Sequence, residues 1–306
     1  RTTAGRRECA VHKEISGIIP PLLTCFKEDG GFDEAAQRSL VEFFVTRVDG
    51  LYPVGTYGCG LLMSAEERKR VAETVLDQVR GRIPVIIHIG AADTATCVDL
   101  AKHAESAGAD AVAAIAPYYY KYSEAEIVEH FRTIASSVKI PFFAYNNPHT
   151  SGNAISPRAL AEMASLGVAG VKDSAFDLVN FYSYLIKVRR PGFTFIVGTE
   201  AIANAAVMAG AAGVVSGLAN VWPELMRELW GALKAGCHDE ASALQLKVVE
   251  ARAALKIAAT IPSCYAVLKM RGIECGWGPR RPYLPLGPAE AEKVRAEFVR
   301  LGLLKD

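Results

Sequence analysis

The amino-acid sequence predicts an α/β protein that folds as one (β/α)8 TIM barrel with a C-terminal helical appendix. Three observations support this fold. Short apolar runs alternate with stretches of helical periodicity, eight such units fill about 220 residues, and the pattern after residue 236 is wholly helical. We therefore expect an N-terminal extension over residues 1–14, a catalytic barrel over 15–236 and a helical subdomain over 237–306.

The eight apolar runs are rich in Val, Ile and Phe and apolar at successive positions, which is typical of parallel strands buried on both faces. The segments between them carry apolar residues at helical spacing. Ser64 and Ser123 are each followed three residues later by Glu, as in a capping box, and Ser156 precedes Pro157 at a predicted first turn. The apolar runs cover residues 17–25, 50–55, 83–90, 111–117, 140–145, 168–172, 193–198 and 213–217.

The appendix is predicted as three helices over 239–260, 262–271 and 288–301, with a Pro- and Gly-rich stretch before the last helix. A doubly wound nucleotide-binding sheet is the main alternative fold. It is disfavoured because no G-x-G-x-x-G follows the first run and no G-x-x-x-x-G-K-[ST] occurs. The glycines of 55–60 have the wrong spacing for either motif.

Composition excludes several classes of protein. The net charge is +1 and the basic residues are scattered, so we expect no nucleic-acid partner. No stretch reaches the ~18 to 20 apolar residues of a membrane span, and the polar segment 1–14 is not followed by the apolar core of a signal peptide, so we expect no membrane partner. The seven cysteines form no C-x-x-C pair, which indicates reduced thiols in a cytoplasmic protein.

Lys172 is the main catalytic candidate. Barrel enzymes carry their reacting groups at the carboxyl ends of the strands, and Lys172 ends the run 168–172. Apolar neighbours disfavour its ammonium form and lower its pKa, which supplies the free amine that a Schiff base requires. The alternative is a buried lysine that forms a structural ion pair with Asp173, and position alone leaves both interpretations open.

Two further strand ends carry candidate residues. Tyr145 closes the run before that of Lys172, where a phenol could relay protons; the alternative is a core tyrosine with a backbone partner. Gly55 to Gly58 follow the second run, where backbone N–H groups could form a nest for a carboxylate and Thr56 could add a hydroxyl donor. The alternative there is an ordinary glycine turn.

Metal chemistry is disfavoured by the sequence. His88 and His149 raise the alternative of a metal-dependent aldolase, but no H-x-H or H-E-x-x-H motif accompanies them. Cys59 lies in the glycine loop without an evident base to activate its thiol. We therefore expect no metal and no organic cofactor.

Six short motifs follow one another in a specific order: Gly55-Thr-Tyr-Gly58, Pro117-Tyr-Tyr119, Tyr145-Asn-Asn-Pro148, Gly170-Val-Lys172-Asp, Gly198-Thr-Glu200 and Gly213-Val-Val-Ser216. In order and spacing they resemble the dihydrodipicolinate synthase / N-acetylneuraminate lyase family of class I aldolases, from about Gly17 to the C-terminus. The resemblance implies an imine between Lys172 and a 2-oxo acid, usually pyruvate, and a homodimer or homotetramer.

The resemblance also implies roles for other residues. Tyr145 is the proton relay, and Tyr119 helps to complete the site across a tight dimer. Thr56 and the backbone around Tyr57 are implied to hold the substrate carboxylate, and the carbonyl of Val215 is implied to line the site. Gly198 and Glu200 occupy the positions that contact substrate hydroxyls in sugar-acid aldolases.

Departures from the family pattern narrow the expected substrate. Thr150 occupies the substrate-binding position where the synthases carry an Arg for the carboxylate of the aldehyde partner, which disfavours a lysine-pathway synthase. In most members the position of Tyr57 holds a Thr or Ser and that of Cys59 holds a Glu. The loop of this chain is more similar to that of 2-keto-3-deoxygluconate aldolases. Tyr57 either reduces the carboxylate pocket or stacks on an aromatic aldehyde.

The leading expectation is a lyase that reversibly cleaves a 2-keto-3-deoxy sugar acid to pyruvate and an aldehyde. One alternative is a dihydrodipicolinate synthase-like, dehydratase or hydratase-aldolase reaction through the same lysine imine. An alternative of another class is a non-catalytic barrel that binds a 2-oxo acid.

Overall fold

The computed structural model describes residues 13–305, so most of the predicted N-terminal extension lies outside the described residues. Seven short parallel strands form one sheet in the order β1-β7-β6-β5-β4-β3-β2. The strands are β1 (Gly17–Ile19), β2 (Ile86–His88), β3 (Ala111–Ile115), β4 (Phe142–Asn146), β5 (Gly170–Asp173), β6 (Thr194–Val197) and β7 (Gly213–Val215).

The segment 51–54 closes the sheet by lying between β1 and β2. On one side the N–H of Tyr52 donates to the carbonyl of Pro20 (3.0 Å), and on the other the N–H of Leu51 donates to the carbonyl of Pro84 (3.0 Å). The prolines on both sides lack amide donors, so this eighth strand position has a single bridge instead of a regular ladder. The closed ring of eight extended segments confirms the predicted (β/α)8 barrel.

Helices follow the strands and surround the barrel. The capping boxes predicted at Ser64 and Ser123 are confirmed, because each Ser side chain accepts from the amide of the Glu three residues later and that Glu side chain accepts from the Ser amide. Ser156 is likewise the N-cap before Pro157. The barrel helices are α1 (Glu34–Val45), α2 (Ala65–Val79), α3 (Thr94–Ser106), α4 (Glu124–Ala135), α5 (Pro148–Ser151), α6 (Pro157–Ser165), α7 (Leu178–Lys187), α8 (Ala203–Ala209) and α9 (Pro223–Ala235).

Three further helices form the C-terminal part: α10 (His238–Leu255), α11 (Thr260–Met270) and α12 (Pro288–Arg300). Helix α10 is fixed to the barrel through Gln245, whose side chain accepts from the amide of Asn204 (2.8 Å) and donates to the carbonyl of Glu200 (2.9 Å). The contact brings α10 to the loop that follows β6. The predicted domain boundary at 236/237 stays a prediction.

The core has two layers. A large cluster fills the space between strands and helices, and a smaller one fills the barrel interior, with Tyr52 and Phe143 as its aromatic members. Gly170 lies beside Phe143, and a side chain at this glycine would overlap the Phe143 ring. The absence of a Cβ at Gly170 therefore allows the ring to pack in the interior layer on the strand that carries Lys172.

Among the described residues, no single helix is both long and apolar enough to cross a membrane, although α10 and α11, bent by 103°, pass that test of length and composition as a pair.

Candidate active site

Lys172 lies at the carboxyl end of β5, with its side chain inside the barrel. In the parallel register Tyr145 of β4 is opposite Lys172, and Asn146 is opposite Asp173. Because successive side chains on a strand point to opposite faces, Tyr145 and Lys172 share the inner face and the other two share the outer face. Lys172 is only 4% exposed.

The amine of Lys172 contacts aromatic rings. Its Nζ lies 3.7 Å from the ring centroid of Tyr145 and 4.2 Å from that of Tyr52. Burial lowers the pKa of Lys172 from its ordinary value, and the interaction with Tyr145 opposes this shift in part. A lowered pKa increases the fraction of neutral amine, which is the nucleophilic form.

Asp173 does not pair with Lys172 among the described contacts. Its carboxylate accepts a hydrogen bond from Asn146 Nδ2 (2.7 Å) on the outer face of the sheet. Burial raises the pKa of Asp173 to about 6, and the Asn146 hydrogen bond lowers it in part. The geometry thus disfavours the structural ion pair as an explanation for Lys172.

The phenol of Tyr145 lies in a polar environment. Its oxygen accepts a hydrogen bond from Asn147 Nδ2 (3.0 Å), and Thr56 and Ser174 line the same cavity. Burial by itself raises the pKa of Tyr145, but the positive charge of Lys172 and these three polar side chains together bring it below its ordinary value. A phenol with a lowered pKa beside an amine is suited to proton transfer.

A cavity of about 110 Å³ lies above Lys172. Seven of the residues proposed from the sequence line it: Thr56, Tyr57, Tyr145, Lys172, Gly198, Glu200 and Val215. Seven further residues complete the wall: Pro21, Asn147, Ser174, Phe176, Thr199, Gly217 and Arg252.

The glycine loop carries Thr56 and Tyr57 to the cavity. The amide of Cys59 donates to the carbonyl of Thr56 (3.1 Å), and Cys59 adopts a left-handed φ of 54°. The Tyr57 ring crosses towards Gly217, where any side chain would overlap its hydroxyl. Burial raises the pKa of the Cys59 thiol to about 11, so this thiol is not activated.

Glu200 and Arg252 form an ion pair at the cavity wall. Arg252 Nε lies 3.1 Å from Glu200 Oε1, and Glu200 Oε2 accepts from the Ser216 hydroxyl (3.0 Å) and the Gly217 amide (3.0 Å). The Arg252 guanidinium also lies 5.2 Å from the ring centroid of Phe176. Glu200 thus holds a cation from α10 at the wall of the cavity.

A model of the dihydrodipicolinate synthetase family matches residues 14–300 of the chain. The chain belongs to this family. It is therefore an enzyme, a class I aldolase-like lyase, as the motifs predicted.

Curated relatives and solved structures agree with this assignment. The chain is 37% identical over 293 residues to a 4-hydroxy-tetrahydrodipicolinate synthase of Nitrobacter hamburgensis, covering 95% of this chain and 98% of the relative. It is 32% identical over 243 residues to a probable 2-dehydro-3-deoxy-D-pentonate aldolase of Escherichia coli, covering 78% and 81%. The structure of the E. coli K12 prophage protein YagE in complex with pyruvate superposes with a TM-score of 0.90 at 27% identity, covering 94% and 99%.

Two of the family positions do not line the cavity of the described chain. Tyr119 is 88% exposed with a left-handed φ of 79°, and its ring packs against Tyr120. Thr150 is exposed on the short helix α5. The role of Tyr119 across a dimer and that of Thr150 in binding substrate stay predictions.

The two histidines of the metal alternative lie in different surroundings. His88 is buried in the barrel interior with its ring 6.0 Å from that of Tyr145, whereas His149 is exposed and lies near Phe176. Within residues 13–305, no group of three or more His, Cys, Asp or Glu side chains is arranged to hold a metal ion.

Sequence reasoning missed Arg252 and Tyr52. Arg252 falls within a predicted helix of the appendix, and the burial of its neighbours Ala251, Ala254 and Leu255 is visible only in the structure. The sequence of α10 has no clear apolar stripe that could have identified Arg252. Tyr52 lies inside a predicted strand, where an aromatic residue normally indicates core packing.

Proposed function

We propose that the protein is a pyruvate-dependent aldolase that reversibly cleaves a 2-keto-3-deoxy sugar acid to pyruvate and an aldehyde. The observation that carries this proposal is the buried Lys172 amine, 3.7 Å from the Tyr145 ring at the base of a small cavity. The relative named as a probable 2-dehydro-3-deoxy-D-pentonate aldolase supports a substrate of this class.

In the proposed reaction, the neutral amine of Lys172 attacks the C2 carbonyl of the sugar acid, and loss of water gives a protonated imine. Tyr145, which has given its own proton to the departing water, accepts the proton of the C4 hydroxyl as the C3–C4 bond breaks and later delivers it to C3. The electron pair of the C3–C4 bond moves into the imine to form an enamine. The aldehyde leaves. Protonation of C3 and hydrolysis of the imine then release pyruvate and restore Lys172.

The substrate carboxylate is proposed to bind at Thr56 and the backbone around Tyr57, as the family resemblance implies; both residues line the cavity. Gly198, Glu200 and the carbonyl of Val215 lie around the same cavity and are proposed to contact the remainder of the substrate. No basic side chain occupies position 150, and this argues against an aldehyde partner bound there through its carboxylate.

A second candidate is a hydratase-aldolase reaction through the same imine. It is favoured by Tyr57 and Phe176, two aromatic side chains of the cavity wall besides Tyr145, which could stack on an aromatic aldehyde. A panel of aliphatic and aromatic aldehydes, tested with pyruvate in the synthetic direction, distinguishes the two candidates.

The decisive experiment is the intact mass of the protein after incubation with pyruvate and borohydride, which reduces an imine to a stable amine. We expect a pyruvate adduct on the wild type and none on Lys172→Ala. Lys269→Ala, which removes a lysine of α11, is the control and is expected to give the wild-type adduct. A wild type without an adduct would reject the proposal.

We also propose a homodimer or homotetramer in the cytoplasm. Helix α7 exposes an apolar stripe of Val179, Tyr182 and Ile186, of which Val179 is 75% exposed. Light scattering coupled to size exclusion tests the assembly, and a monomer at micromolar concentration would reject it.

A further inference from the structure

Tyr52 is held rigidly inside the barrel. Its N–H donates to the carbonyl of Pro20 (3.0 Å), and its carbonyl accepts from the N–H of Leu22 (3.0 Å). The side chain is 1% exposed, and a Cβ at Gly55 would lie 2.9 Å from its ring. The ring therefore lies against the glycine loop on one side and has little freedom to move.

The ring of Tyr52 is the second aromatic surface at the Lys172 amine. Nζ lies 4.2 Å from its centroid and 3.7 Å from that of Tyr145, and the two rings are inclined at 77°. Within the part of the chain that the structure describes, no ion pair joins a carboxylate to this amine; the charge-favouring partner of Lys172 is Tyr145. Ring faces carry negative potential and attract a cation, most strongly where water is excluded.

We propose that Tyr52 is a further positioning residue of the site, whose ring face stabilises positive charge on Lys172 Nζ in the ammonium and in the protonated imine. This inference rests on the proposed imine chemistry. The protonated imine is the electron acceptor when the C3–C4 bond breaks, so a group that keeps its nitrogen charged favours the reactive intermediate.

The ring of Tyr52, and not its hydroxyl, is assigned this role. The hydroxyl has no hydrogen-bond partner among the described residues, whereas the ring faces the amine directly. Tyr52→Phe therefore keeps the stabilising group, and Tyr52→Leu removes it. Phe143→Leu is a matched control, because Phe143 is an aromatic residue of the same interior cluster that lies outside the set of rings facing Nζ.

Other charged or titratable groups around the amine are the same in all these variants. His88 lies beside Tyr52, and burial, with Arg68 and Lys172, lowers its pKa well below the ordinary value, which keeps it neutral near pH 7. The remaining groups on the surrounding elements are Arg68, Tyr57, Tyr145, and the ion pair of Glu200 with Arg252.

The first test measures the charge state of Lys172 without pyruvate. The rate of carbamoylation of Lys172 by cyanate, which reacts with the neutral amine, is followed against pH by peptide mass spectrometry. In Tyr52→Leu we expect the midpoint to fall by about one pH unit, and in Tyr52→Phe and Phe143→Leu we expect it to stay at the wild-type value. If Tyr52→Leu does not fold, Tyr52→Met fills the space with a flexible side chain and serves in its place.

The second test measures the imine itself. At saturating pyruvate, the borohydride-trapped fraction is expected to fall about tenfold in Tyr52→Leu and to recover in Tyr52→Phe. A wild-type midpoint in Tyr52→Leu, or an equal shift in Phe143→Leu, overturns the assignment. If wild type shows the cyanate pattern but traps no pyruvate, the proposed function fails while the role of the ring is retained.

Discussion

Two residue pairs that are neighbours across β4 and β5 have opposite characters. On the outer face, Asn146 donates to Asp173 (2.7 Å) and accepts from the amide of Ile155 (3.0 Å), so its polar groups are occupied. On the inner face, Lys172 contacts the ring of Tyr145 and faces the cavity. One step along a strand thus separates a pair that holds the strand ends in place from a pair whose groups are left available to a substrate.

Removal of the Tyr145 hydroxyl is expected to have the largest effect on the inner pair. Tyr145→Phe should lower kcat by about 10²- to 10⁴-fold, because the proton relay is lost while Lys172 remains. Steady-state kinetics measures the change. Tyr184→Phe is the control, since Tyr184 is a buried tyrosine whose hydroxyl donates to the carbonyl of Ile155 (2.6 Å); kcat per folded molecule should not change. A kcat within a factor of three of wild type for Tyr145→Phe would remove Tyr145 from the mechanism.

The outer pair, Asn146 and Asp173, should affect the free energy of unfolding and its dependence on pH. The pKa of Asp173 is raised from 3.8 to about 6, so the folded state binds this proton more readily than the unfolded state. Ionising this buried carboxyl costs folding on the order of 3 kcal/mol above pH 6, and the cost decreases as the pH falls from 6 towards 4.

Asp173→Asn removes this titration. When the pH falls from 7 to 5, the unfolding free energy of the wild type should rise by about 1 kcal/mol relative to that of the variant. Only the wild type is stabilised by protonation of Asp173. Urea unfolding at the two pH values measures the difference. A difference between the two proteins that does not change with pH would show that Asp173 does not titrate in this range.

The variant Arg252→Gln tests whether Arg252 contributes to binding of the sugar acid without affecting imine formation at Lys172. We expect the KM for the sugar acid to rise about tenfold, since a charged hydrogen-bond donor is lost, while trapping of pyruvate by borohydride is unchanged. Arg252→Lys keeps the charge without the planar fork and should give an intermediate KM. An unchanged KM in Arg252→Gln would mean that the cation only neutralises Glu200.

The smallest effect is expected from Tyr57→Thr, which shortens the side chain that crosses the cavity. If Tyr57 stacks on an aromatic aldehyde, the ratio of kcat/KM for aromatic over aliphatic aldehydes should fall by about two- to tenfold. Both rates are measured in the synthetic direction with pyruvate. A constant ratio would leave Tyr57 as a wall of the carboxylate pocket and weaken the hydratase-aldolase candidate.

The barrel and the family could be predicted from the sequence because their signals are local. Alternation of side chains along a strand is a property of neighbouring residues, and a polar residue at the end of an apolar run therefore indicates Lys172 and Tyr145 directly. The limit of this reasoning is visible at residues 51–54, which occupy a strand position with a single bridge because Pro20 and Pro84 cannot donate.

The remaining parts of the site depend on contacts between distant segments. Arg252 enters the cavity wall because Gln245 fixes α10 to the loop after β6, and no periodicity of α10 reveals that docking. Tyr52 could be predicted as a buried residue, but its position over Nζ results from closure of the barrel. The short helix α5 was not predicted either, because its four residues are too few to show helical periodicity.

Because Arg252 lies on α10, binding of a ligand in the cavity should also affect the C-terminal helices. A ligand that contacts Arg252 binds only while α10 is docked on the barrel. Its binding free energy therefore adds to the free energy that keeps α10 docked. Amides of α10 should then exchange with deuterated solvent more slowly as the site fills, in proportion to the ligand's affinity for the docked state. Hydrogen exchange in the C-terminal helices would thereby report whether substrate occupies the cavity.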